Sequence, residues 1–323
     1  MKSFVLLVAS VVLLARSACG YGNAGHQAVG TMAEHYLEGT RAGREVRTLL
    51  HAKEDMARAA TWADRAKLPE KYLSAEMKEY VANNPGHRSY HYCDLPFQEK
   101  AYREGMTGTN PSDIVQTLRK CIEVLQSPEA NPENPLKINK RVALMLVAHL
   151  MGDLHQPLHV GSSYIDQNNQ FVNPETGAKG QMDAGANYLR LTSRTNLHGF
   201  WDTKTVKLAR DKAGAEDFTR YLLSHFPKKA EWDGQGAPTT WPEQWATDTL
   251  RSSPSAFKGI APGNRITVPK DEKHDEHFAW TIKLPPDYNE RTRVIVELEL
   301  AKAGYRLAAL LQAIWPEDKN PKM

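Results

Sequence analysis

The chain has 323 residues, 41% of them apolar, with 41 Lys plus Arg against 38 Asp plus Glu and only 3 cysteines. That composition excludes a disordered or collagen-like chain and a disulfide-dense scaffold. A net charge of +3 excludes a protein that holds nucleic acid by a broad basic surface alone.

Residues 1–20 read as a cleaved secretory leader. Lys2 precedes an apolar run from Phe4 to Leu14, then Arg16, and Ala18 and Gly20 suit a small-residue cleavage site. The run is too short to span a bilayer. Processing would make Tyr21 the first residue of a secreted or periplasmic protein, and losing Lys2 and Arg16 leaves the mature chain nearly neutral. Helical periodicity then predicts helices over 24–38, 42–64, 111–126, 137–155, 198–210, 215–226, 239–251 and 287–313. Ser112 and Asp113 stand as an N-cap before Ile114, Leu118 and Ile122. The last helix carries a stripe from Val294 to Leu311 suited to a core. Strand signals are sparse. Phe171-Val172 and Tyr188–Leu191 could pair as a small hairpin inside the long irregular stretch 160–197, whose length suggests a functional loop. No linker interrupts 21–323, so the expected architecture is all-α, one mainly helical domain. Export puts Cys93 and Cys121 in an oxidising compartment, where they form a disulfide or stay as two buried thiols; the disulfide is the expectation.

The chemistry lies in histidines and aspartates. His149 and Asp153 stand at i and i+4 on a predicted helix, on one face and about 6 Å apart. His198 and Asp202 repeat the spacing. One such pair means little, but two amid apolar neighbours are costly to bury without compensation, and a cation supplies it. His159 lies off the His149 face, yet Pro157 should end the helix and let the chain turn back. Asp64, His91 and His26 add further ligand-capable groups, His26 five residues from the new amine. Five His and three Asp suit zinc. His35, His51, His87, His225, His274 and His277 have no paired ligand at useful spacing, and 274–277 reads as a solvated loop. His155 points away from the His149 face, towards a supporting or capping role.

These residues resemble the single-strand-specific zinc nucleases of class I, whose helical fold is shared with zinc-dependent phospholipase C. The resemblance runs along nearly the whole mature chain: Gly25-His26, Trp62-Ala63-Asp64, His91-Tyr92-Cys93-Asp94, His149 to His159, Asn196-Leu197-His198 through Thr203, and Ala303 to Leu307. It implies three zinc ions. One would take Asp64, His91, His149 and Asp153; a second His159, His198 and Asp202; a third His26, Asp153 and the amine and carbonyl of Tyr21, where the family usually has Trp. It implies in-line hydrolysis of single-stranded DNA and RNA to 5′-phosphates, with 3′-nucleotides as further substrates and no protein partner, in a monomer. Asp64 would orient or deprotonate the attacking water, and Lys67 would neutralise transition-state charge. Tyr92, Asp94, Gly185 and Asn187 would form a base pocket, in which Ala186 departs from a Gly-Gly-Asn pattern. Three dications against three aspartates leave a local charge of about +3, so a near-neutral chain can still hold a phosphodiester. The rival readings are a zinc phospholipase C, which closes its second pair with Glu where Asp202 stands here, and a non-catalytic exported zinc-binding protein.

Overall fold

The computed structural model describes residues 21–127, 134–214, 217–270 and 276–317; the expected leader, 1–20, lies outside them. Its centre is the helix Lys140–Leu154, buried from Val142 to Leu154 on every side. A helix apolar all round belongs inside a bundle. Ile114–Gln126 packs along one flank of it, and Gly22–Leu37 and the long Tyr288–Ile314 along others. Each buried Leu, Val or Met of this centre contributes roughly 1.5–3 kcal/mol.

Local chemistry sets where the helices begin. Asn139 accepts from the Val142 N–H, and Asp113 accepts from Val115 and Gln116, so Asp113 is the N-cap that the sequence indicates. The predicted helix over 42–64 is three pieces: Arg41–Leu49, Met56–Ala59 and Trp62–Arg65. Asp55 restarts the chain by accepting from the Arg58 N–H at 2.7 Å. The predicted 198–210 helix starts at Leu197 under an Asn196 cap, widens into a π-helical stretch over Phe200–Thr205, and continues as Val206–Ala213. Ala75–Asn83 and Ser253–Phe257 are helices that periodicity did not mark. On the last helix Val294 is exposed, while Val296, Leu300, Ala303, Leu307, Leu310 and Leu311 are buried.

The β content is small but is not the expected hairpin. Phe171–Val172 pairs antiparallel with Tyr164–Ile165, which also takes Gln181–Met182. Leu189–Arg190 instead lies parallel to His277–Thr281, itself antiparallel to Arg265–Val268. His277 is therefore strand rather than solvated loop, its ring stacked on Tyr188 at 4.1 Å; His274 lies outside the described residues. Leu95–Pro96 runs parallel to Gly161–Ser162.

The expected disulfide is absent. Cys93 and Cys121 are buried free thiols, and the Cys93 Sγ–H points at the Val160 carbonyl. Burial pushes both thiols far up, so neither presents the thiolate that exchange requires.

Candidate metal centre

Six segments converge on one buried site. The last turns of Lys140–Leu154 present His149 and Asp153 on one face, as their i, i+4 spacing requires. The chain then turns at His155 and Gln156. Pro157 opens a new helical turn, Pro157–Val160, which carries His159 back to the site. Trp62–Arg65 brings Asp64, the 3₁₀ turn His87–His91 brings His91, the first helix brings His26, and 197–205 brings His198 and Asp202. Gly152 makes room for this convergence: a Cβ there would lie 2.6 Å from the His26 Nδ1.

Asp153 is the hub. Its Oδ2 lies 2.7 Å from His91 Nδ1 and 3.1 Å from His149 Nε2, and its Oδ1 3.3 Å from His26 Nε2 and 3.8 Å from His159 Nδ1. His149 Nε2 is 3.6 Å from Asp64, and His198 Nε2 is 3.2 Å from Asp202. The ligand-capable atoms form three sets, the first two sharing His149: His26, His149 and Asp153; Asp64, His91 and His149; His159, His198 and Asp202. Within each, all atoms lie within 4.8 Å of one another. Every one of these eight side chains is buried.

Main-chain carbonyls aim the rings. His149 Nδ1 donates to Ala60 O at 2.7 Å, His159 Nδ1 to His91 O at 2.8 Å, and His198 Nδ1 to Gly185 O at 2.7 Å. Each bond fixes the tautomer whose Nε2 lone pair faces the site, the arrangement usual for metal-binding histidines. Gln156 Nε2 donates to Asp202 Oδ1 at 2.8 Å and holds that carboxylate in the same way.

The set fits a metal. Both ring nitrogens of His26, Asp64 Oδ2, Asp153 Oδ1, His159 Nε2 and Asp202 Oδ2 are buried without a hydrogen-bond partner in the protein. Leaving so many polar atoms in one pocket unmatched is unfavourable by about 1–3 kcal/mol each, and cations on those atoms remove the cost. Nitrogen and carboxylate donors in this proportion suit zinc.

The electrostatics follow. Burial would raise the Asp64 carboxyl, but the Lys67 ammonium, His149 and His91 outweigh it and hold it well below the usual range. Lys67 Nζ donates to Asp64 Oδ1 at 2.9 Å. Burial and then Lys67 push His91 down to about 3, keeping the ring neutral as a ligand must be. Burial also favours neutral His149 and His198, but Asp153 and Asp64 beside the first and Asp202 beside the second raise both.

Tyr21 sits at the head of the first helix, its carbonyl accepting from Gly25 N–H and its hydroxyl donating to His155 O at 2.6 Å. His155 itself stays off the metal set; its Nε2 is 3.0 Å from the Arg306 guanidinium. Beside the metal set, Tyr92 is exposed and Asp94 is buried, its Oδ1 accepting from the Ser162 hydroxyl. Asn187 donates to Ala184 O and accepts from Asn196. Gly185 has φ +59°, and a Cβ there would meet Leu158 O at 2.5 Å, so only glycine fits. Sequence reasoning missed Gln156 as a carboxylate partner, and Ser162 and Asp183 altogether. Gln156 stood within the quoted run but carried no signal of its partner 46 residues away.

Fold and site together define a mainly helical protein built around a buried His/Asp centre of the metal-binding type. The sequence matches the S1/P1 nuclease family over residues 21–316, and the chain belongs to that family of hydrolases acting on nucleic acids. It is similar to endonuclease 2 of Arabidopsis thaliana, 26% identical with 96% of this chain and 97% of the relative covered. It is also similar to nuclease S1 of Aspergillus oryzae, at 24% with 97% and 98% covered. Nuclease P1 of Penicillium citrinum is 23% identical, with 91% and 97% covered. No helix among the described residues is long and apolar enough to cross a membrane.

Proposed function

We propose that this nuclease is a three-zinc enzyme that hydrolyses phosphodiester bonds of single-stranded DNA and RNA to 5′-phosphate products and also removes the phosphate of 3′-nucleotides. The observation that carries the reading is the set of unmatched buried nitrogen and carboxylate atoms distributed over three neighbouring His/Asp groups. Asp64, His91, His149 and Asp153 would hold one ion, His159, His198 and Asp202 a second, and His26, Asp153 and the Tyr21 main chain a third. When bound, zinc supplies Lewis acidity at the phosphoryl oxygens and at water.

The remaining chemistry belongs to the chain. Asp64 is kept ionised by Lys67, so it can orient a water and take its proton while the water oxygen attacks phosphorus in line. The opposite P–O3′ bond breaks, and the 3′ oxygen leaves as a hydroxyl with a proton from solvent. Lys67, buried to 8% exposure of its side chain, balances charge on the phosphoryl group more strongly than a solvated lysine could. Tyr92, exposed, offers a ring on which a base would stack, and Asp94, Gly185 and Asn187 would meet the base edge. A base must leave its helix to reach such a pocket, which accounts for single-strand preference. The reading includes removal of residues 1–20 on export, a free amine at Tyr21, one domain over 21–323 and a monomer.

Side-by-side hydrolysis of denatured DNA, duplex DNA, RNA, 3′-AMP and phosphatidylcholine, with zinc content per chain, tests it. Turnover of the single strands and 3′-AMP with about three zinc per chain is the expected result. Turnover of phosphatidylcholine alone, or none from fully loaded protein, overturns it.

A further inference from the structure

The ribbon Leu95–Pro96 against Gly161–Ser162 lies between the metal ligands and the residues proposed to read the base. On one side His159 Nδ1 donates to His91 O, and Cys93 N–H to His159 O. Further along the ribbon Phe97 N–H donates to Ser162 O, and the register sets Pro96 opposite Ser162. This pairing puts the Ser162 side chain, fully buried, between two elements far away in sequence.

Its single hydroxyl makes two bonds. It donates to Asp94 Oδ1 at 2.6 Å and accepts the Gly185 N–H at 2.7 Å. The Gly185 peptide is thus held at its nitrogen by Ser162, while its own carbonyl holds the His198 ring. Its neighbours are fixed by Asp183, whose carboxylate accepts from Ser163 N–H, Ser163 Oγ–H and Ala186 N–H. Ala184, Gly185 and Ala186 all have positive φ, a conformation that two alanines keep only where such bonds enforce it. Asn187 follows directly.

We propose that Ser162 is a positioning residue for base recognition: its hydroxyl takes one oxygen of Asp94, leaving Oδ2 for the edge of a nucleobase, and locks the Gly185 loop that presents Asn187. It rests on the base-pocket reading given above. The partners of the Ser162 hydroxyl, Asp94 and Gly185, both lie outside the proposed ligand set. Removing its hydroxyl should therefore weaken capture of a base without altering the handling of a phosphodiester that has none. Losing one bond to a carboxylate corresponds to roughly tenfold or more in affinity.

The test compares full-length processed protein carrying Ser162→Ala, Ser162→Cys or Asp94→Ala with the parent. The substrates are the dinucleotide ApA and bis(4-nitrophenyl) phosphate, and zinc content and melting temperature are read alongside. The expected result for Ser162→Ala is a KM for ApA raised about tenfold, with kcat, zinc content and bis(4-nitrophenyl) phosphate hydrolysis near the parent's. Ser162→Cys, with a weak donor of similar size, should fall between the two. If Asp94→Ala raises the KM for ApA and Ser162→Ala does not, the positioning role is wrong while the base pocket stands. If neither changes it, the base pocket itself is wrong. Equal loss on both substrates with loss of zinc would also overturn the proposal, because Ser162 would then serve the metal centre.

Discussion

Asp183 makes a quantitative test of how buried charge shapes this loop. It is fully buried, and its carboxylate accepts from Ser163 N–H at 3.1 Å, Ser163 Oγ–H at 2.5 Å and Ala186 N–H at 2.9 Å. Burial nonetheless prevails over these donors, with Asp94 nearby adding to it, and pushes the carboxyl up to about 7. In the unfolded chain it titrates near 3.9. Between those values the folded protein binds a proton that the unfolded chain does not, so this group's contribution favours folding at low pH and is lost as pH rises. The loss is about 1.4 kcal/mol per unit, or roughly 3 kcal/mol from pH 4.5 to 7. Asp183→Asn cannot titrate, keeps Oδ1 for the two N–H groups, and can donate Nδ2–H to Ser163 Oγ. The Asn variant should therefore gain roughly 3 kcal/mol on the parent between pH 4.5 and 7.5. Urea unfolding of both proteins across that range, at matched zinc content, measures the difference, in which contributions from groups not coupled to Asp183 cancel. A difference that stays constant with pH, or one that moves towards the parent as pH rises, refutes the reasoning.

Three further outcomes follow from the metal centre. Asp153→Asn should lose more activity and zinc than His26→Ala or His159→Ala, because four histidines converge on that carboxylate; equal losses across the three, by assay and metal analysis, contradict the hub. Gly152→Ala should lower zinc content and be destabilising by about 1–3 kcal/mol, since its new methyl displaces the His26 ring. Full zinc occupancy in that variant would show that the ring can yield. A chelator should lower activity and melting temperature together, because the unmatched ligand atoms tie metal binding to folding. A stripped protein that melts at the parent's temperature would separate the two.

Much of the candidate site could be read from the chain because its ligand-capable residues follow local rules. His149 with Asp153 and His198 with Asp202 are helix neighbours by periodicity, and Pro157 signalled the turn that returns His159. The supports could not be read this way. Ser162 and Asp183 look like ordinary loop residues until tertiary packing buries them, and burial of a polar group leaves no local pattern. The strands failed for a related reason. Leu189–Arg190 is two residues long and finds its partner near residue 280, a distance over which periodicity says nothing. The run 42–64 looked like one helix because its apolar spacing continues through the break, and only the Asp55 cap marks where a new turn starts. For the cysteines the export argument concerned the compartment, which says nothing of whether the fold brings two sulfurs into bonding geometry; Cys93 and Cys121 are separate buried thiols.

Three of the imidazoles take their aim from the peptide groups of residues 60, 91 and 185. An engineer who transplanted only the eight side chains onto another scaffold would leave those rings free to spin. What has to be copied is a set of backbone paths, and inheritance faces the same constraint: insertions beside Ala60, His91 or Gly185 would detune the centre while every ligand stayed in place.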